Sequence, residues 1–270
     1  MVTLPPPPDP TPQRRRDIAE SFGDDADRYD RARPRYPQAL AAAVLDGLAG
    51  LEVLDVGIGT GISALPFREA GAHVVGVEVD VRMAELARSR GFETEVSRFE
   101  DWEPGGRGFD AVIAGQAWHW IDPVAGAVKA AVLLRPGGRL ALFWNVGDPD
   151  PEIAHAFADV YRSVDTGLPF TPWAAPALDG YETIMARAID GIDATSAFTT
   201  PARLRFDWRP ATITRGAWLE QVPTMGGHSR IPDDRLAKLL NGLGRVIDDH
   251  GGSFTMNSAT AAIIADRPPA

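Results

Sequence analysis

"VLDVGIGTGIS", residues 53–63, decides the fold. A short apolar run meets an acid, Asp55, and glycines follow at alternate positions, Gly57, Gly59 and Gly61, with Ile58 between the first two. The run reads as a buried strand. "GISALPFREAG" after it reads as a helix stopped by Gly71. The glycines therefore fall in a strand-to-helix turn, where a helix N-terminus offers unpaired N–H groups. Glycine there permits tight turning and close approach of a ligand to the backbone. The next strand, "HVVGVEVD", carries Glu78 at its end, with Val79 following. An acid about 20 residues past such a turn takes ribose hydroxyls in dinucleotide-binding folds. An adenosine-type ligand is favoured over a turn whose glycines serve packing alone.

Asp55 narrows the ligand. The dinucleotide fingerprint needs a glycine where this chain has Ile62, and the phosphate loop needs a lysine that is missing. A carboxylate beside a pyrophosphate would add like-charge repulsion. S-adenosylmethionine has no phosphate and carries an ammonium and a sulfonium, which a nearby carboxylate attracts.

Outward from this unit the alternation continues. "VRMAELARSRG" is a helix closed by Gly91, "ETEVSR" a strand, "FDAVIAGQA" a strand, "DPVAGAVKAAVLLRPGG" a helix and "RLALFWN" a strand. Strands apolar on both faces, alternating with helices, predict a doubly wound, Rossmann-like, mostly parallel sheet. Before it, "PQALAAAVLDGLAG" reads as a helix ended by Gly50. After Asn145 the rhythm breaks. Residues 150–199 read as a helical insertion that lids or walls the acceptor side. "ARLRFDWRPAT" reads as one strand, "TRGAWLEQV" and "PDDRLAKLLNGLGRVIDDHG" as helices, and "SFTMNSATAAIIADR" as the closing strand. The expected division is a Pro-rich tail over 1–13, a helical cap over 14–50, a core over 51–149 and 200–267, and the insertion between the core's two parts.

The chain has 270 residues, 44% of them hydrophobic, enough for a substantial core. A formal charge of −10 repels phosphate backbones, so nucleic acid is not the expected partner. The absence of cysteine excludes disulfides, thiolate zinc sites and cysteine nucleophiles. No stretch approaches the roughly 20 apolar residues of a membrane helix, and "MVTLPPPPDPTPQRRR" lacks a signal peptide's apolar segment. A soluble, cytoplasmic protein, monomer or homodimer, is expected, with no metal and no membrane partner.

"VLDVGIGTGIS" with "VVGVEVD" resembles motif I and the next-strand acid of class I S-adenosylmethionine-dependent methyltransferases. "FGDDADRYDRARPRYP", "FDAVIAGQAWHWIDP" and "LLRPGGRLALFWN" resemble the type 11 small-molecule branch of bacteria, within it proteins with an "AWHW" segment. The likeness is strong over residues 20–147 and is mainly one of element order beyond. It implies a seven-stranded sheet whose last strand is antiparallel. It implies that Gly57, Gly59 and Gly61 approach the methionyl part of S-adenosyl-L-methionine and that Glu78 takes the ribose. Met83 would pack on the adenine or serve as ordinary core. Relatives often bind the adenine amino group with an acid where this chain has Arg98, so the backbone at Phe99 or the Glu100 side chain would replace it. Tyr29, Arg33 and Tyr36 align with residues that close over the cofactor. An arginine pairs bidentately with a carboxylate, so Arg33 would take the cofactor's, while Arg31 and Arg35 read as surface.

Methyl transfer is an in-line displacement in which the protein aligns the acceptor and excludes water. A hydroxyl acceptor also needs a base. Beyond the carboxyl end of the fourth strand stands "GQAWHW", where His119 is the candidate base; its structural alternatives are capping the next helix or packing between Trp118 and Trp120. Gln116 would touch cofactor or acceptor. Asn145, at the end of the fifth strand, would orient either one. Trp118, Trp120, Trp144, Trp173 and Tyr36 would wall the acceptor pocket. The expected reaction is methylation of a small organic acceptor at oxygen, hydroxyl or carboxylate. The alternatives are nitrogen or carbon methylation, a non-catalytic cofactor-binding protein, and an NAD-dependent oxidoreductase.

Overall fold

The computed structural model describes residues 20–270; the expected tail over 1–13 and the start of the expected cap lie outside the described residues. Eight strands make one sheet among the described residues. They are β1 (Glu52–Val56), β2 (His73–Glu78), β3 (Glu93–Val96), β4 (Phe109–Gly115), β5 (Leu134–Pro149), β6 (Ala202–Asp207), β7 (Ala211–Thr214) and β8 (Ser253–Asp266). The order is β3-β2-β1-β4-β5-β8-β6, and β7 pairs with β8 off that path. β1 to β5 are joined by parallel ladders. Val53, Leu54 and Val56 are all buried, so both faces of β1 are covered, as a central parallel strand requires. The chain runs outward from β1 to β3, then returns to the other side of β1 with β4. That reversal makes the carboxyl ends of β1 and β4 the switch point, where such sheets bind ligands.

The sequence predicts seven strands, and the eighth has a local cause. The run read as one strand over 202–212 is two, β6 and β7, separated at Trp208–Pro210. Both lie along β8. Thr199 N–H donates to Asp266 O (2.8 Å), Trp208 N–H to Ser258 O (2.9 Å), and Ala211 pairs with Met256. The pairing is antiparallel throughout, and Pro210, which has no N–H, interrupts it. The predicted antiparallel closing strand is β8.

Helices are α1 (Ala26–Ala32), α2 (Gln38–Leu45), α3 (Leu65–Glu69), α4 (Val81–Ser89), α5 (Pro123–Leu133), α6 (Pro151–Ser163), α7 (Ala177–Asp193), α8 (Arg215–Gln221) and α9 (Asp233–Asp249). Three carry acids as caps: Asp25 accepts from Arg28 N–H at 3.0 Å. Asp80 accepts from Arg82 N–H (2.9 Å), and Asp122 accepts from Val124 and Ala125 N–H (3.1 and 2.8 Å). These carboxylates satisfy donors that no helical carbonyl reaches. α2 stops at Leu45, before Gly50. A Cβ at Gly50 would stand 2.5 Å from an Asp110 carboxyl oxygen, so that glycine serves a close approach and not a helix stop.

Packing divides the chain into two compact units. The first holds Arg35–Trp144, Thr183–Phe206 and Thr260–Ala270. The second holds the described residues up to Pro34, with Asn145–Glu182 and Asp207–Ala259. The second unit has its own core around Phe157, Trp173, Trp218, Leu239, Leu243 and Phe254. Phe157 and Trp218 stack with ring centroids 5.7 Å apart and planes 7° from parallel.

Candidate active site

In the first unit, β1 delivers Asp55 into full burial. Its Oδ2 accepts from Ser63 Oγ at 2.6 Å, and its Oδ1 has no partner among the described residues. Burial pushes its pKa up to about 8; the Ser63 hydrogen bond opposes the shift and the Glu78 charge adds to it. Glu78, at the end of β2, accepts from Gly59 N–H at 2.8 Å through Oε2. Its Oε1 accepts from Val79 and Asp80 N–H at 2.8 and 3.0 Å. Burial raises its pKa and these backbone donors oppose the rise. An ionised carboxylate has about four acceptor positions, so Glu78 keeps capacity for a ligand hydroxyl.

The glycine turn meets the end of β4. Gly57 has φ +70°, and a Cβ there would stand 2.5 Å from Ala117 Cβ. Both the left-handed backbone and the contact demand glycine. Ile58 is buried against Gly76, and Met83 Cε would lie 3.5 Å from a Cβ on Gly59. Met83 thus borders the turn. Tyr36 is buried with its ring edge-on to Phe143 at 4.8 Å. Its hydroxyl and Ser63 Cβ both close on Gly115, 3.1 and 2.7 Å from where a Cβ would be. Asp55, Ser63, Tyr36, Gly57, Gly115 and Ala117 therefore form one neighbourhood.

Gln116 follows with φ 59°, a conformation rare outside glycine, and its N–H donates to Phe143 O at 2.9 Å. Such strain costs about 1–3 kcal/mol and collects at functional positions. Trp118–Trp120 make a single 3-10 turn. Trp118 is buried, its ring 6.2 Å from that of Phe99, and its indole N–H has no partner among the described residues. His119 Nδ1 receives a hydrogen bond from Trp144 Nε1 at 3.3 Å, and the Trp120 ring lies 4.6 Å from the imidazole. Burial of the imidazole pushes its pKa down to about 3, so it is neutral at physiological pH. Phe99 is buried. Glu100 faces Arg98, whose Nη2 is 3.5 Å from its Oε1.

In the second unit Arg33 is buried over the Tyr29 ring, 4.7 Å from its centroid, and its Nε has no partner among the described residues. Asn145 is buried within β5 and does not end it, because the strand runs on to Pro149. Trp173 is buried with φ 58°, its ring 5.7 Å from Phe157 and 5.8 Å from Tyr161. It belongs to that unit's core cluster.

Residues 54–142 match the methyltransferase domain family. An uncharacterized methyltransferase of Mycobacterium tuberculosis is 38% identical over 136 residues, 50% of this chain and 56% of the relative. An O-methyltransferase of Aspergillus nomiae is 30% identical over 162 residues, 54% of this chain and 71% of the relative. The chain belongs to the methyltransferase domain family. The methyltransferase of Amycolatopsis mediterranei acting on 27-O-demethylrifamycin SV is 28% identical over 200 residues, 70% of this chain and 71% of it. A solved structure from Anaeromyxobacter dehalogenans, assigned as a type II methyltransferase, superposes with TM-score 0.57 at 21% identity. It covers 88% of this chain and 99% of its own and supports the fold alone. The chain spans little more than half the length of the mycobacterial relatives.

This methyltransferase-family chain holds polar groups that its motifs did not single out. Ser63 carries the Asp55 hydrogen bond; its only signal is a hydroxyl at the end of the glycine run. In the second unit Tyr161 Oη lies 2.8 Å from His228 Nε2, and His228 Nδ1 lies 3.3 Å from Gly226 O. A carbonyl only accepts, so Nδ1 carries the proton and Nε2 accepts from the Tyr161 hydroxyl. Burial pushes the His228 pKa down to about 4, against the Gly226 hydrogen bond and with help from the Arg33 charge. Burial raises that of Tyr161. Tyr161 and His228 are far apart in sequence, and no short motif joins them.

Proposed function

We propose that the protein transfers a methyl group from S-adenosylmethionine to an oxygen atom of a small organic acceptor. The observation that carries this reading is Asp55: a fully buried carboxylate with one oxygen unpartnered among the described residues, at the mouth of a glycine turn. A cationic, phosphate-free ligand gives that oxygen a partner, and a pyrophosphate would repel it. When bound, S-adenosylmethionine supplies a methyl carbon activated by the sulfonium.

The chain's residues fit that group. Asp55, steadied by Ser63, attracts the methionyl end, and Gly57, Ile58, Gly59 and Gly61 let the backbone come close. Glu78 takes ribose hydroxyls with its remaining acceptor capacity, beside Val79, and Met83 packs on the adenine. The backbone at Phe99 meets the adenine amino group, and the Glu100 carboxylate, 3.5 Å from Arg98, is the less available adenine partner. The resemblance has Tyr29 and Arg33 close over the cofactor, and within its own unit the buried Arg33 Nε, without a partner among the described residues, can take a carboxylate. In the first unit, Gln116, Tyr36, Trp118, His119, Trp120 and Trp144 position the acceptor and exclude water; the expected wall residue Trp173 lies instead in the second unit's core. The names of the Aspergillus and Amycolatopsis relatives support oxygen as the acceptor atom.

The test is calorimetric titration with S-adenosylmethionine and, separately, NADH, followed by a labelled-methyl screen of metabolite extracts with products identified by mass. Binding of S-adenosylmethionine and labelling of an oxygen are expected. NADH binding without S-adenosylmethionine binding would end the proposal.

A further inference from the structure

The indole N–H of Trp144 can only donate, and it points at His119 Nδ1 from 3.3 Å. Nδ1 must therefore offer a lone pair, and in a neutral imidazole the proton then sits on Nε2. We propose that Trp144 fixes His119 as this Nε2-protonated tautomer, so that His119 donates a hydrogen bond to an oxygen acid that arrives already ionised. The proposal rests on the methyltransferase reading and deepens it: the acceptor is a carboxylate, or a phenol or enol acidic enough to be ionised at neutral pH.

The geometry works against a base. An Nε2 that already carries a proton has no lone pair with which to take another, so a base there would first need the opposite tautomer. A switch of tautomer would leave the Trp144 N–H facing another N–H, and Trp144 is fully buried. An unsatisfied buried donor is costly. The surroundings give no help to a cation. The Trp120 ring flanks the imidazole at 4.6 Å, and burial lowers its pKa with no charged group contributing. The nearest acid along the chain, Asp122, is committed to the α5 N–H groups. Among the described residues, Nε2 has no hydrogen-bond partner of its own. A neutral alcohol sheds a proton on methylation and needs a base. An ionised acid sheds none: its own lone pair makes the carbon–oxygen bond, and sulfur keeps the pair of the bond that breaks. A donor at Nε2 orients such an oxyanion by a charge-assisted hydrogen bond. Trp144 is then a positioning residue acting through His119.

The spectroscopic test needs no acceptor. Nitrogen-15 NMR of imidazole-labelled full-length protein should show Nε2 protonated and Nδ1 bare from pH 5 to pH 8. Trp144→Phe should free the ring to exchange tautomers. A proton on Nδ1, or titration of His119 within that range, would overturn the proposal even if Trp144→Phe fails to fold. With the acceptor found in the labelled-methyl screen, kcat at saturating cofactor is the second readout. His119→Gln, which keeps a donor, should stay within about threefold of the parent, and His119→Ala should lose about 10- to 100-fold. A parent kcat falling tenfold per unit below pH 7, with the glutamine variant as slow as the alanine one, would identify a base and refute the donor. Methyl transfer to an aliphatic alcohol would refute the acceptor class. If the protein binds no S-adenosylmethionine, the functional reading falls, while the spectrum still decides the tautomer.

Discussion

Asp55 makes cofactor affinity depend on pH in a way that its burial sets. In the free protein its pKa is pushed up to about 8, so at pH 7 only about one tenth of the molecules carry the charge a cationic ligand needs. If S-adenosylmethionine binds the ionised form, each complex formed at pH 7 releases close to one proton, and affinity rises about tenfold between pH 6 and pH 7. The assay is calorimetry at both pH values, in buffers of different ionisation enthalpy so that the proton is counted. Asp55→Asn is the control: it should bind more weakly and show no rise between pH 6 and pH 7. Because the ligand's own α-amino group titrates near pH 8, the difference between parent and variant belongs to Asp55. Stability should run the opposite way. An acid whose folded pKa lies above its unfolded value holds more protons when folded, so its contribution falls as pH rises from about 4 to about 8. The full span is on the order of 5 kcal/mol. Ligand-free Asp55→Asn should therefore melt higher than the parent at pH 8 while binding the cofactor less well. Equal parent affinity at pH 6 and pH 7, with no proton released, would refute the argument that this carboxyl is neutral until a cation arrives.

Three further substitutions test the frame around the site. Gly57→Ala should weaken S-adenosylmethionine binding and lower stability by about 1–3 kcal/mol in thermal unfolding, because it strains φ and drives a Cβ into Ala117; an unchanged melting point would disprove the contact. Tyr161→Phe should cost about 1–3 kcal/mol by leaving His228 Nε2 buried without a donor, read by denaturant unfolding. Asp122→Ala should cost about 1 kcal/mol through loss of the α5 cap, with the His119 tautomer unchanged by nitrogen-15 NMR.

The parallel sheet was legible because its information is local. The run around Val53, Leu54 and Val56 is apolar on both faces, and the glycines beyond it report a turn that no other residue makes easily. The interrupted edge was less legible. "ARLRFDWRPAT" has strand composition from end to end, and what divides it is one missing N–H at Pro210. Gly50 misled for a related reason: a glycine signals a helix stop by conformation, and here it serves a close approach to Asp110 that only the folded chain creates.

The site divides along the same line. Asp55, Glu78 and the glycine turn lie on one strand-turn-helix-strand unit, so their residue types and spacing could be weighed together. His119 was visible as a titratable group in the right place, a candidate base or a structural imidazole by its type. The partner of its Nδ1 is Trp144, a residue from the next strand that reads in the sequence as pocket wall or core. A histidine's function depends on which nitrogen holds the proton, and that depends on the partner of the other nitrogen. Sequence position locates the imidazole; in the tautomer proposed above, the indole across the β4–β5 ladder leaves Nε2 with the proton to offer.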